Sequence, residues 1–151
     1  MLSDVCYATE LDLDSWMEMI TLIKDNFPGL DTTEQLNGYK QTVIKNINRQ
    51  TALCIRENNK VVAILIFSYK AKSLSCMAVD PDFRRAGLAS KLVEKMISLF
   101  PKDQNISVST FRENDAKGDA PRRLYKKFGF VEEGLIVEFD YPHQKFILKR
   151  G

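Results

Sequence analysis

Apolar and polar positions follow helical spacing in some segments of the chain and strand-like spacing in others. Two early segments predict amphipathic helices; the first carries Trp16, Met19, Ile20, Ile23 and Phe27, and the second carries Leu36, Tyr39, Val43 and Ile47. The run 61–67 is apolar at every position, as in a central strand that is covered on both faces. We expect further strands at 3–8, 51–56, 72–79, 106–111, 130–139 and 146–149, and later helices at 87–100 and 119–129.

Capping and turn residues separate these segments. Phe27-Pro28-Gly29 predicts the end of the first helix, and Asp31 with Glu34 offers a capping box for the second. Residues 57–60 predict a hairpin turn, because Asn58 and Asn59 tolerate positive φ. The start of the first helix has three alternative caps, which are Asp12, Asp14 and the Ser15/Glu18 pair.

The strand pattern changes at two places. In 72–79, Ser73 and Ser75 share a parity with apolar Met77 and Val79, which is compatible with a bulge. Near the C-terminus, Tyr141-Pro142 would join the last two strands. This places His143, the only histidine, in a surface turn.

The element order is strand, helix, helix, three strands, helix, strand, helix and two strands. Strand–helix–strand units inside a run of hairpins imply an α/β (α+β) fold, with a mixed sheet and helices on both faces. A length of 151 residues, without repeats or a Gly/Ser linker, favours a single domain over 1–151.

Charge and cysteine content limit the classes of partner and cofactor that the sequence favours. The 22 basic and 20 acidic residues give a net charge of +2, which argues for no nucleic acid and no membrane surface as partner. No apolar run approaches the roughly 20 residues of a membrane span, and the N-terminus lacks the basic region of a signal peptide. Cys6, Cys54 and Cys76 have no metal-like spacing, so we expect no metal and buried free thiols in a reducing cytoplasm.

The stretch 77–90 carries the strongest chemical signal. It reads as a strand, a tight turn and the start of a helix, whose free N–H groups and positive dipole end favour an anion. Gly87 allows close approach of a phosphate to the backbone, and Arg84 and Arg85 add positive charge, so a diphosphate fits. Spacing alone equally allows an ordinary strand-to-helix loop with solvated arginines. The stretch matches neither GxGxxG nor GxxxxGK[ST].

Two motifs resemble those of the GNAT superfamily of N-acetyltransferases. Arg84-Arg85-Ala86-Gly87-Leu88-Ala89 is similar to the family signature R/Q-x-x-G-x-G/A, and Ala78-Val79-Asp80-Pro81 resembles the usual entry to it. Leu124-Tyr125-Lys126-Lys127-Phe128-Gly129-Phe130 resembles the later LYxxxGF-type segment. The element order matches as well, which implies a mixed, mostly antiparallel central sheet of about seven strands.

The resemblance implies a role for each motif residue. The predicted residues that bind acetyl-CoA are Met77, Ala78, Val79, Arg84, Arg85, Ala86, Gly87, Leu88, Ala89 and Ser90, with Asn114 and Lys117 as further candidates. The signature would hold the pyrophosphate. The preceding strand would splay from its neighbour at a bulge and offer backbone groups to the acetyl carbonyl and the pantetheine arm.

Tyr125 is the candidate general acid, because a phenol can protonate the leaving thiolate. The helical pattern alone would make Tyr125 a core aromatic. No general base is evident, since 72–79 contains no carboxylate.

The resemblance therefore implies an acetyl-CoA-dependent N-acetyltransferase that acts on a primary amine. The acceptor could be a small molecule, a peptide N-terminus or a lysine, and the balanced charge favours a small molecule. A non-catalytic module that binds coenzyme A for sensing or assembly is the alternative. A monomer and a homodimer are both compatible with the sequence.

Overall fold

The computed structural model describes residues 2–23, 30, 32–84, 86–111, 119–138 and 141–150. Strands are β1 Cys6–Tyr7, β2 Ala52–Glu57, β3 Lys60–Ser68, β4 Ser73–Val79, β5 Ile106–Phe111, β6 Val131–Glu138 and β7 Tyr141–Leu148. Helices are α1 Leu13–Ile23, α2 Thr33–Arg49, α3 Leu88–Leu99 and α4 Asp119–Lys127, with 3₁₀ turns at Glu10–Asp12 and Pro81–Phe83. The predicted order of strands and helices is confirmed.

All seven strands form one sheet in the order β1-β2-β3-β4-β5-β7-β6. Every neighbouring pair is antiparallel except β4 and β5, which run parallel. The parallel pair arises because α3 crosses over between the two strands. The expected mixed, mostly antiparallel sheet of seven strands is therefore confirmed.

Two apolar layers cover the two faces of this sheet. On one face α1 and α2 bury a cluster that contains Trp16 and Val43, and on the other α3 and α4 bury a cluster that contains Leu92 and Tyr125. Strand β3 contributes to both clusters, which explains why its sequence is apolar without alternation. No helix among the described residues has the length and apolar character needed to cross a bilayer.

Local capping differs from the sequence expectation at α2. The capping box is formed by Thr32 and Gln35: Gln35 N donates to Thr32 Oγ1, and Thr32 N donates to Gln35 Oε1, both over 3.1 Å. The expected pair of Asp31 and Glu34 was therefore one residue out of register, and Asp31 itself lies outside the described residues. The expected stop of the first helix at 27–29 also lies outside them.

Before α1 a similar box forms, because Thr9 N donates to Asp12 Oδ2 over 2.8 Å. The N-cap of the 3₁₀ turn that leads into α1 is therefore Thr9, which was not among the three alternatives, and Asp12 is its box partner and not the cap. The turn between β2 and β3 has positive φ at both Asn58 (50°) and Asn59 (70°), as expected.

The C-terminal hairpin also corrects the sequence reading. Strand β7 begins at Tyr141, so Pro142 and His143 lie within a strand and not in a connecting turn. Pro142 pairs with Val137 of β6, while the pairing of β7 with the described part of β5 ends at His143. Proline at 142 removes no hydrogen bond from the described β5–β7 pairing, which ends at His143.

Candidate active site at the β4–β5 seam

Strands β4 and β5 are neighbours over only a short distance. Their pairing comprises Ser73 with Ser107 and Leu74 with Val108. On its other side β4 stays paired with β3 as far as Val79, but the register shifts so that Ser75 is an extra residue. The bulge that the serine pattern allows, and that the family resemblance implies, is thus present. Beyond it the parallel pairing stops, which leaves one side of β4 without a neighbouring strand in the described chain.

The backbone groups on this open side belong to Met77 and Val79. Asp80 N donates to Val62 O over 2.8 Å, so this pair of residues is a hydrogen-bonded one. Because hydrogen-bonded and non-bonded pairs alternate along an antiparallel ladder, Ala78 bonds to β3, while Met77 and Val79 direct their N–H and C=O groups away from it. These groups can bind an extended, amide-containing ligand as an added strand would.

Helix α3 begins beside this edge. Its N-cap Gly87 has φ 74° and ψ 16°, a left-handed conformation that side chains with a Cβ rarely adopt. Among the residues that the structure describes, no side chain caps the helix, and its first turn holds no acidic residue. A Cβ placed at Gly87 would meet no atom within 4 Å, so the space beside it is open. The first amides of α3 are therefore available to an anion.

Asp80 fixes the turn that leads into α3. Its side chain is buried, Oδ1 accepts from Asp82 N over 2.9 Å, and its carbonyl accepts from Phe83 N over 2.9 Å. Oδ2 lies 3.9 Å from Lys60 Nζ. These contacts point the only carboxylate of the motif Val79-Asp80-Pro81 inward, away from an anion at the helix start.

The cationic residues around α3 are only partly described. Arg84 is exposed at the end of the 3₁₀ turn, and Lys127 of α4 donates from Nζ to Ser90 Oγ over 3.5 Å. Lys127 thus adds positive charge at the first turn of α3, a contact that its position in the motif did not reveal. Three predicted residues, Arg85, Asn114 and Lys117, lie outside the described residues.

Within the second motif, the C-terminal end of α4 holds the backbone of Tyr125 in place. Phe130 N donates to Tyr125 O and Gly129 N donates to Lys126 O, each over 3.0 Å, and Gly129 has φ 92°. This is a Schellman motif, in which glycine takes the left-handed position that other residues disfavour. The spacing between Tyr125 and the Gly129-Phe130 pair therefore has a structural cause, since these residues end the helix and anchor the tyrosine backbone.

The ring of Tyr125 is buried beneath the seam. Its centroid lies 5.7 Å from that of Phe130 and 6.0 Å from that of Phe146. Burial, and to a smaller extent the neighbouring Cys76, raises the pKa of Tyr125 above its ordinary value of 10.0. The phenol consequently stays protonated at neutral pH and can donate a proton or a hydrogen bond.

Sequence and structure comparisons bear on this arrangement. A family model described as "Acetyltransferase (GNAT) domain" matches residues 48–132, which is more than half of the chain. The chain belongs to the GNAT acetyltransferases. It is an acetyl-CoA-dependent N-acetyltransferase, as its motifs predict. A comparison with curated protein sequences gives no significant match.

Solved structures of GNAT proteins have the same fold. An acetyltransferase from Bacillus cereus superposes with a TM-score of 0.74 at 25% identity, over 99% of this chain and 98% of that one. The ribosomal-protein-S18-alanine N-acetyltransferase of Escherichia coli gives 0.69 at 19% identity, over 97% and 91%. Ard1 from Thermoplasma volcanium gives 0.72 at 19% identity, over 97% and 96%. The fold thus extends over nearly the whole chain.

In this GNAT chain the opposite face of β4 carries a polar cluster that the sequence did not reveal. Trp16 Nε1 donates to Tyr39 Oη over 3.0 Å, and Tyr39 Oη lies 3.5 Å from Cys76 Sγ. Burial raises the pKa of the Cys76 thiol to about 11 and also raises that of Tyr39 well above 10.0. Both groups are therefore neutral hydrogen-bonding groups at pH 7. Trp16 and Tyr39 read as core positions on helical stripes, and only the tertiary contact joins them to β4.

Within the described part of the chain, no group of three or more His, Cys, Asp or Glu side chains is arranged to share a metal ion. His143, whose position was reinterpreted above, has only its backbone described.

Proposed function

We propose that this GNAT domain transfers the acetyl group of acetyl-CoA to a primary amine by direct attack of the amine on the thioester, with Tyr125 as general acid. The observation that carries the proposal is the juxtaposition of two groups. Met77, whose backbone lies on the open edge, packs against the buried cluster that contains Tyr125 together with Leu74 and Val108, the last paired residues of β4 and β5.

In this proposal the chain binds the coenzyme mainly through its backbone. The amides from Arg84 to Ala89 hold the pyrophosphate at the start of α3, with Ser90 and Arg85 beside them. The uncapped helix start and the left-handed Gly87 support this role. Met77, Ala78 and Val79 form the strand edge along which the pantetheine amides lie, supported by the outward direction of Met77 and Val79. Asn114 and Lys117 remain candidates for the adenosine end.

Each catalytic step has a residue in this arrangement. As the amine attacks, the Met77 N–H stabilises the oxyanion that forms on the acetyl oxygen. When the tetrahedral intermediate collapses, Tyr125 Oη gives its proton to the departing thiolate sulfur. The proton lost by the attacking nitrogen passes to water, and water returns a proton to the Tyr125 phenolate. Tyr39 and Cys76, on the other face of β4, are neutral groups that can accept or donate hydrogen bonds but do not act as a strong base at pH 7.

The acceptor is proposed as a small amine or a peptide amine. The Escherichia coli neighbour is named for acetylation of an alanine of a ribosomal protein, so at least one protein of this fold acts on a peptide amine. The balanced charge of the present chain favours a small molecule over a nucleic-acid-bound partner. We also propose that residues 1–151 act as one domain, in the cytoplasm, as a monomer or homodimer.

Substitution of Tyr125 by phenylalanine tests the proposal. Tyr125→Phe keeps the ring contacts with Phe130 and Phe146 but removes the proton donor, so turnover should fall about 10²–10⁴-fold while the affinity for acetyl-CoA stays unchanged. Release of free thiol with a panel of amines measures turnover, and calorimetry measures affinity. Tyr69→Phe, at an exposed tyrosine, is the matched control.

The pH profile adds a second readout. Because the pKa of Tyr125 is raised, ionisation of the phenol should lower wild-type kcat only above about pH 10. Full turnover by Tyr125→Phe would show that the proton comes from another group. Tight binding of acetyl-CoA by the wild type without transfer to any amine would favour the alternative of a non-catalytic module.

A further inference from the structure

Two cysteines face each other at the sheet edge opposite the C-terminal hairpin. Cys6 of β1 and Cys54 of β2 are directly opposed in the antiparallel register, and their sulfur atoms lie 4.0 Å apart. Both are free thiols; Cys54 is fully buried and Cys6 is partly exposed. The expectation of buried thiols thus holds for Cys54 but not for Cys6 or Cys76, which are both partly exposed.

The geometry of this pair suits a disulfide. Directly opposed residues of antiparallel strands have Cα atoms about 4.5–5.5 Å apart, which falls within the range of about 4.4–6.8 Å found in disulfides. The sulfur atoms need to approach from 4.0 Å to about 2.05 Å, a change that side-chain rotation can supply without moving the strands.

A guanidinium group holds one of the two sulfur atoms in place. Arg56 Nη1 donates to Cys6 Sγ over 2.9 Å, while Nε and Nη2 of the same side chain donate to the two carboxylate oxygens of Asp12 over 2.7 and 2.6 Å. Asp12 is itself fixed by Thr9 N at the start of α1. The Cys6 side chain is therefore oriented beside Cys54 by a network that does not depend on the catalytic seam.

We propose that Cys6 and Cys54 are a reversible redox pair that closes to a disulfide on exposure to hydrogen peroxide and reopens with a dithiol reductant. Cys6 Sγ attacks one peroxide oxygen, which gives a sulfenic acid and one water. Cys54 Sγ then attacks the Cys6 sulfur, the S–S bond forms, and a second water leaves with the Cys54 proton. Together the two thiols lose two protons and two electrons, and one peroxide takes them up to become two waters.

Because the two thiols have different surroundings, Cys6 is oxidised first and Cys54 reacts second. Cys6 is the one that an oxidant can reach from solvent. Burial, followed by the neighbouring Cys6 and Asp12, raises the pKa of Cys54, so this thiol stays protonated and does not itself attack peroxide. It reacts once Cys6 has been oxidised, because the hydroxyl of the sulfenic acid takes the Cys54 proton as it leaves as water. Its position 4.0 Å from Cys6 lets it capture the sulfenic acid before further oxidation. Disulfides of this kind in reducing compartments are transient and serve redox sensing.

Peptide mapping of peroxide-treated protein tests the proposal. Treated wild type should lose the mass of two hydrogen atoms and retain one free thiol, that of Cys76. Trypsin should release residues 1–24 joined to residues 50–56, and dithiothreitol should separate them. Because the link encloses a long loop and ties the two-residue strand β1 to β2, it should raise Tm by roughly 5–15 °C.

Three variants make the result specific. In Cys54→Ser, Cys6 should take up one or two oxygen atoms and Tm should not rise. In Cys6→Ser, the buried Cys54 should stay unmodified at the same peroxide dose. Cys76→Ala should form the Cys6–Cys54 link as wild type does. Oxygen uptake at Cys6 in the wild type without a cross-link, or a link that involves Cys76, would overturn the proposal.

Discussion

The two sides of strand β4 present the same backbone N–H and C=O groups, but the groups on each side have different partners. Toward β3 its pairing continues to Val79, whereas toward β5 it ends at Leu74, one residue before the bulge at Ser75. A backbone N–H or C=O that has no strand partner must find another one when it is removed from water. The paired side therefore stabilises the fold, and the open side is the edge that we propose binds the coenzyme.

The sheet edge at β1, here called the closed end, has no such binding role. Strand β1 has only two residues, yet its surroundings are filled by side-chain contacts, chiefly the ion pair between Asp12 and Arg56. Burial by itself would raise the pKa of Asp12, but hydrogen bonds from Arg56 and Thr9 and the charge of Arg56 together hold it below its ordinary value of 3.8. Ligand binding should thus depend on the seam and stability on this closed end.

Proline substitutions in β4 should separate its two sides most strongly. Met77→Pro removes an N–H that points to the open side, so the fold should persist while turnover falls about 10²–10³-fold through loss of the oxyanion donor. Met77→Leu keeps the N–H and should retain activity, which controls for the side chain. Thiol release and thermal melts are the two measurements.

Ala78→Pro provides the opposite arm of that experiment. It removes an N–H that bonds to β3, so it should lower the free energy of unfolding by about 3 kcal/mol or more. If Met77→Pro unfolds as readily as Ala78→Pro, the two sides of β4 are not different in the way described.

A bulky residue at Gly87 should produce a smaller loss, confined to coenzyme binding. Gly87→Val places a β-branched residue at φ 74°, so the turn must change and the first amides of α3 lose their direction. The Kd for acetyl-CoA, measured by calorimetry, should rise about 10–100-fold, which corresponds to the loss of one or two hydrogen bonds to a charged group.

Two other substitutions calibrate this effect. Gly87→Asn should bind more tightly than Gly87→Val, because asparagine tolerates the left-handed conformation. Gly134→Val, at a glycine of β6 with open space and no positive φ, should leave the affinity unchanged. Equal affinities for the valine and asparagine variants at position 87 would contradict the conformational explanation.

Asp12→Asn should have the smallest effect on the reaction and act on stability alone. The folded pKa of Asp12 is depressed, so its contribution is present above about pH 3.8 and is lost as the pH falls through the lowered folded value. The variant should lose about 1–3 kcal/mol of unfolding free energy at pH 7. Its difference from wild type should shrink in acid, as denaturant titrations at several pH values can measure. A changed Kd for acetyl-CoA in this variant would contradict the separation between ligand binding at the seam and stability at the closed end.

Much of the fold could be predicted because it depends on local pattern. Apolar run 61–67 becomes the doubly covered β3, Asn58 and Asn59 form the tight turn, and the serines of β4 mark the bulge. The spacing of Tyr125, Gly129 and Phe130 specifies a helix end through backbone bonds between residues close in sequence. Hence a motif match placed the candidate acid, although nothing in periodicity distinguished it from a core aromatic.

Contacts between distant residues were decided only by the tertiary structure. The sequence gives no sign that Trp16 and Tyr39 would meet Cys76, that Lys127 would reach Ser90, or that Cys6 would oppose Cys54. Each contact depends on strand register and helix packing, in which a shift by one residue would turn the side chain to the other face. For the same reason the sequence predicts a turn at Tyr141-Pro142, whereas pairing with β6 places both residues in a strand.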